Sequence, residues 1–287
     1  MNPNDYDEDG NNIVPCPICL SNYCPSKEDG KCPEEEDFAK WHTQKAMDVV
    51  YLLGTGSPWD NNEIRYSLRS LKHLPHDKVF VVGERPEWLS NIIHLDIKDN
   101  FAYLNGGKFR NVIQKIRAAC QDDRVSDSFV LMNDDFFFLT DTTEILPYTN
   151  GTLESMIEQY PDKKSQYYNA LVRTKQFLQK QGIEQPINYA VHYPIIYEKK
   201  KFLQMTDDID WLEKGYSWRT IYGNLFDIGR VDREDPKVSS AIAFFKRFAE
   251  QKNVGDFLSI SDNLALLPEF QKWIAERFPN KSLYETN

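Results

Sequence analysis

The sequence predicts an α/β fold on a mainly parallel sheet flanked by helices, with a helical second half. Three observations carry that expectation. Short apolar runs rich in β-branched residues recur, polar or glycine-bearing loops close them, and amphipathic helical patterns separate them. The first run, "MDVVYLLG" (47–54), is continuous enough for a strand buried on both faces and ends at glycine. After the loop "TGSPWD" comes "NEIRYSLRSLKHL", where Ile64, Leu68 and Leu71 fall at helical spacing. "DKVFVVGERP" reads as the next strand with its exit loop, "NIIHLDI" as a third, "KFRNVIQKIRAACQD" as a helix and "DSFVLMNDDFFF" as a further strand. Two more helical patterns follow, one closed by Gly182 and one closed by Gly215, with the strand-like "INYAVHYPIIY" between them. Ligands of such sheets bind beyond the carboxyl ends of the strands, so the loops "GTGSPWDNNE", "GERPEWL" and "NDD" are expected at one cleft.

At 287 residues the chain holds one large domain or two modest ones. We place a boundary near residue 45, with residues 1–45 as a separate segment and 46–287 as the main domain. The balance of 41% hydrophobic and 27% charged residues is that of a globular protein rather than a disordered one. A formal charge of −10 excludes broad, nonspecific attraction to nucleic acid or anionic membrane, so nucleic acid is a partner the charge does not indicate. No run approaches the roughly 20 apolar residues that span a bilayer. The start, "MNPNDYDEDGNN", is acidic, unlike a signal peptide, so a cytoplasmic protein is expected.

Four of the five cysteines, Cys16, Cys19, Cys24 and Cys32, lie in "CPICLSNYCPSKEDGKC". Their C-x2-C opening suits a chelating loop, and four thiols complete a tetrahedral structural zinc site in a segment too short for a core of its own. His42 is a spare ligand, and free thiols or disulfides are the other reading of the same cluster.

Asn133, Asp134 and Asp135 stand between an apolar run and three phenylalanines. An isolated buried carboxylate is costly, so the pair marks either a strand end with an Asx turn or two oxygen ligands turned toward one divalent cation. "GTGS", with Gly54, Thr55 and Gly56, lacks the spacing of a dinucleotide or Walker loop, and is weak as a phosphate cradle. His192, in an apolar segment with proline two residues on, reads by spacing as a core histidine or a general base.

Several of these segments, in order, resemble the conserved blocks of the Stealth family of sugar-phosphate transferases. These enzymes include bacterial capsular polysaccharide phosphotransferases and are related to the lysosomal-enzyme N-acetylglucosamine-1-phosphotransferase catalytic domain. "DVVYLLGTGS" resembles the first block. "NNEIRYSLRSLKHLPHDKVFVVGERPEWL" with "VSDSFVLMNDDFFF" resembles the second, "AVHYPIIYEKKKFLQM" the third, and "FLSISDN" with "FPNKSLYE" the fourth. The resemblance runs from about residue 47 to the end. It departs at "YLLG", where the family reads Y-T-W-V, and at "NGGKFRNVIQKI", where the family carries an F-N-S-like segment.

The resemblance implies a nucleotide-sugar transferase-like fold and transfer of a sugar-1-phosphate from a nucleotide-sugar, a UDP-sugar by expectation, to a glycan or other hydroxyl acceptor. Asp134 and Asp135 then hold Mg2+ or Mn2+ on the diphosphate, with Asn133 orienting them, and His192 takes the acceptor proton. Arg219, in "YSWRTIYGN", would fork onto phosphate oxygens or is a surface helix arginine. Glu63 and Arg65 would face the cleft with Arg69 one turn on, a structural ion pair being the rival reading. Asp60, Asn62, Asp262 and Asn263 are further polar candidates, for which capping or turn roles compete. Two other classes stay open: a glycosyltransferase that breaks the glycosidic bond, acting on phage or bacterial DNA bases or a surface glycan, and a non-catalytic glycan-binding module.

Overall fold

The structure is a computed structural model that describes residues 46–101, 107–248 and 255–286. The cysteine cluster and its expected zinc lie outside the described residues. In chain order the main domain begins β1 (Met47–Leu53), α1 (Asn62–Ser70), β2 (His76–Gly83), β3 (Ile93–Leu95), α2 (Gly107–Gln121) and β4 (Ser128–Met132). It continues with β5 (Phe136–Phe138), β6 (Tyr148–Thr149), α3 (Leu153–Gln159), α4 (Gln166–Lys180), β7 (Ile195–Glu198), α5 (Lys199–Asp207) and α6 (Trp218–Leu225). It ends with β8 (Val231–Asp232), β9 (Lys237–Val238), α7 (Ala241–Phe248), β10 (Phe257–Ile260), α8 (Asp262–Ala265) and α9 (Pro268–Arg277).

The main sheet has the order β3-β2-β1-β4-β7, parallel throughout except for β7, which runs antiparallel to β4. Alternation along β1 builds both faces. Val49, Tyr51 and Leu53 pack with Ile64 and Leu68 of α1, while Val50 faces Ile116 and Ala119 of α2. The expected α/β sandwich is therefore present, with β1 at its centre and helices on both sides.

A second, three-stranded sheet, β5-β10-β9, continues directly from β4. This accounts for the three phenylalanines after the acidic pair. Phe136 and Phe138 turn into the cluster under α1, and Phe137 into a separate cluster with Phe244, Leu258 and Phe270. The aspartates thus occupy the joint between the two sheets. Helix α1 locks that joint, since Ser67 Oγ donates to the Phe136 carbonyl at 2.5 Å and Phe138 N donates to Ser70 Oγ at 3.1 Å.

Two helical expectations need correction. The pattern closed by Gly182 is two helices, because Pro161 falls between α3 and α4; Gly182, at φ 84, then closes α4. The pattern expected to reach Gly215 stops at Asp207. The run "TDDID" has side chains that compete for backbone hydrogen bonds, and Thr206 Oγ1 bonds the carbonyls of Phe202 and Leu203. Gly215 serves packing instead, since a Cβ there would lie 2.9 Å from the Phe109 ring. The strand expected across "INYAVHYPIIY" is only β7, and His192 sits in the loop that enters it. Among the described residues no helix is long and apolar enough to cross a membrane.

Candidate active site

At the carboxyl ends of β1 and β2 the two strand exits are drawn together. Lys115 Nζ, from α2, donates to the Leu53 carbonyl at 2.8 Å and pairs with Asp99 Oδ1 at 2.6 Å. Gly83 is required there: at φ 118 it escapes the strain of a side chain, and a Cβ would sit 2.0 Å from the Leu53 carbonyl oxygen. Gly54 lies beside it, its Cβ position 3.3 Å from Asp99 Oδ2, and Thr55 and Gly56 are exposed beyond. The chain then folds back, as Ser57 Oγ accepts from Asn61 N at 2.7 Å and donates to Glu63 Oε2 at 2.7 Å. Glu63 is thereby held, buried, at the start of α1.

Asp134 and Asp135 follow β4 at the same edge and are partly buried. Burial, the charge of Asp135 and the charge of Glu63, in that order, push the Asp134 carboxyl up to about 7. Burial also raises Asp135, against the opposing pull of Lys237 and His192. Ser259 Oγ, from β10, donates to Asp135 Oδ2 at 3.1 Å. Among the described residues no three His, Cys, Asp or Glu side chains gather as a ready-made metal cage. The pair nonetheless fits a hard divalent cation. Mg2+ is commonly held by one or two carboxylates together with substrate phosphates and water, and a cation there would offset the burial and the Asp135 and Glu63 charges that raise Asp134.

His192 faces this edge from the loop before β7, its side chain 35% exposed, so it is not a core histidine. Its Nδ1 donates to Asp235, at 2.8 Å from Oδ2 and 3.0 Å from Oδ1. Burial pushes the Asp235 carboxyl up, but the hydrogen bond and charge of His192 outweigh it and hold the group below the usual carboxylate range. The opposite ring nitrogen, Nε2, lies 3.3 Å from Lys237 Nζ, and the same ammonium lies 3.8 Å from Asp135 Oδ2. One lysine therefore touches both the imidazole and the acidic pair.

Arg219 corrects an expectation. It is not a surface arginine: it is buried, and its Nη1 donates to the carbonyls of Val191 (3.0 Å) and Tyr193 (2.5 Å), while its Nη2 is buried with no hydrogen-bond partner among the described residues. It grips the backbone on both sides of His192. Arg65 and Arg69 are corrected as well. Arg69 makes a two-pronged pair with Glu285, Nε to Oε1 at 2.8 Å and Nη2 to Oε2 at 2.7 Å, and donates to the Phe278 carbonyl. Arg65 lies over the Trp88 ring at 4.4 Å with its Nε 3.6 Å from Glu285. Both clamp the C-terminal segment, the structural ion pair that was the rival reading. Asn62 is spent locally, donating to the Trp59 carbonyl and accepting from Arg65. Asp60 is exposed and left-handed in the turn before α1. Asp262 and Asn263 are exposed in the first turn of α8, which Ser261 caps.

Three contributors were missed from sequence: Asp235, Lys237 and Ser259. Only Ser259 left a signal, a serine inside the otherwise apolar strand "FLSI" and fully buried there. Asp235 and Lys237 flank a proline in "EDPKV", a turn by composition, and nothing local ties them to a histidine some forty positions earlier.

No family model and no curated protein matches the chain. Solved structures similar to it include the galactosyltransferase LgtC in complex with donor and acceptor sugar analogs, at 13% identity over 81% of this chain and 94% of that one, with a TM-score of 0.45. They also include the bifunctional glycosyltransferase WbbM in its apo form, at 11% identity over 83% and 50%, TM-score 0.47, and apo mouse xyloside xylosyltransferase 1, at 9% identity over 72% and 91%, TM-score 0.34.

Proposed function

We propose that the chain is a transferase that moves a sugar-1-phosphate from a nucleotide-sugar, a UDP-sugar by preference, to a hydroxyl of a glycan acceptor. The observation that carries this reading is the single lysine that joins base and acidic pair, Lys237 Nζ at 3.3 Å from His192 Nε2 and 3.8 Å from Asp135 Oδ2. The Stealth-like order of the motifs supports it. Phosphoryl transfer needs charge neutralisation, an aligned nucleophile and a proton acceptor, and the cleft offers residues for each.

Asp134 and Asp135 would hold Mg2+ or Mn2+, which when bound supplies charge neutralisation on the diphosphate. His192 receives the acceptor proton at Nε2, while Asp235 accepts from Nδ1–H and so fixes the tautomer that carries its lone pair on Nε2. Arg219 acts through the backbone, since fixing the carbonyls of Val191 and Tyr193 fixes the ring between them. The acceptor oxygen bonds to the β-phosphorus, the bridge from that phosphorus to the α-phosphate breaks, and nucleoside monophosphate leaves.

The test is to incubate the protein with UDP-, GDP-, CDP- and ADP-sugars in Mg2+ or Mn2+ and identify the nucleotide released. UMP is expected. UDP would assign the reaction to glycosyl transfer, and no release from any donor would return the chain to a binding module.

A further inference from the structure

Lys237 has a place in the cleft that the transfer step does not explain. Its backbone is fixed on the two-residue strand β9, and its N–H donates to Asp235 Oδ1 at 3.1 Å. Its side chain, 31% exposed, reaches over to His192 Nε2. Asp235 accepts the hydrogen bond from Nδ1–H, so in that neutral tautomer the lone pair lies at Nε2, and an ammonium has only protons to give. The contact is therefore Lys237 donating into the one lone pair that a base in this position would use.

A hydroxyl cannot hand its proton to a nitrogen already occupied. We infer that Lys237 is a ligand of the donor's diphosphate, and that its capture by phosphate uncovers His192 Nε2 for the acceptor. Two features support the exchange. A phosphate oxygen, being anionic, is a stronger acceptor for an ammonium than a neutral imidazole nitrogen. The lysine stem is flexible while its backbone is pinned, so the head group can swing without disturbing β9. The position between Asp135 and His192 is also where a diphosphate held at the acidic pair would meet an acceptor at the base. Donor then binds before acceptor. The acceptor O–H proton passes to Nε2, the new bond joins that oxygen to the β-phosphorus, and the electrons of the broken bridge leave with nucleoside monophosphate.

This inference rests on the proposed reaction, and binding separates the two. Inorganic pyrophosphate and the preferred nucleotide-sugar are titrated calorimetrically, with and without Mg2+, into the wild type and the variants Lys237→Met, Lys237→Arg and His192→Ala. Lys237→Met is expected to weaken both ligands by about 10- to 100-fold, the worth of a hydrogen bond to a charged group. Lys237→Arg, which keeps charge and donors, restores binding. His192→Ala frees the lysine from its resting partner and tightens both ligands by about 2- to 10-fold, the worth of a neutral hydrogen bond, an effect that a purely structural lysine would not give. Lys237→Gln serves as a second neutral variant if the methionine fails to fold. Wild-type protein that binds no pyrophosphate, a neutral variant that binds as tightly as wild type, or His192→Ala without tightening overturns the inference. If the binding pattern appears but no donor releases a nucleotide, the anion capture stands and the transferase reading falls. Release of nucleotide without the pattern has the opposite meaning.

Discussion

Replacing Glu285 by alanine tests whether the arginines of "NEIRYSLRS" hold the chain together rather than bind substrate. The Glu285 side chain is 4% exposed, and it receives Arg69 Nε and Nη2, the Ser282 N–H at 2.9 Å and, more distantly, Arg65. Removing one partner of a buried pair costs about 3–5 kcal/mol, because the other charge stays behind uncompensated. Arg69 keeps the Phe278 carbonyl and the Tyr66 ring, 4.9 Å away, so the loss should fall at about 3 kcal/mol. For a domain of this size that lowers Tm by about 6–12 °C. Burial raises the Glu285 carboxyl, but the Arg69 hydrogen bonds and the Ser282 N–H outweigh it and hold the group below its ordinary value. A depressed carboxylate stabilises above its unfolded pKa and loses that contribution as pH falls through the folded value. The gap between wild type and variant should therefore be full at pH 7 and shrink below about pH 4.5. Circular dichroism melts at pH 7 and pH 3.5 read both quantities. A Tm change under about 2 °C at pH 7, or a gap that persists in acid, would refute the clamp.

Two further predictions concern the cleft. Asp134, raised to about 7, is a group whose contribution to stability is present below its unfolded pKa and is lost as pH rises through the folded value. Asp134→Asn should therefore raise the Tm of metal-free protein at pH 8, with the gain vanishing toward pH 4, while abolishing any stabilisation by added Mg2+ or Mn2+; a lower Tm at pH 8 would contradict it. Asp235→Asn offers His192 an amide in place of a carboxylate and no longer enforces the tautomer with a bare Nε2, so turnover should fall by about 10²- to 10⁴-fold with donor affinity preserved. Parallel loss of donor binding would show that the aspartate maintains the fold instead.

How much of this was legible in the sequence depended on the range over which each signal acts. Hydrophobic periodicity is local, so the strands of the main sheet, the alternation of Val49, Val50 and Tyr51, and the place of "NDD" at a strand exit could be read directly. The antiparallel sense of β7 could not, because an apolar run does not state its direction, and neither could the small sheet that turns "FFF" from excess hydrophobicity into β5. Charged side chains were the least legible. Arg65, Arg69 and Arg219 look alike in sequence, yet two find Glu285 more than two hundred positions away and the third finds the carbonyls around His192. An arginine reads as a phosphate ligand only if nothing in the fold already satisfies it, and that is a tertiary fact. Lys237 carries the same logic one step further. Its partners are an imidazole nitrogen at 3.3 Å and a carboxylate at 3.8 Å, so it retains donor capacity and half-open access to the cleft. Its present contacts are ones an incoming diphosphate can outbid without unburying a charge or breaking a strand.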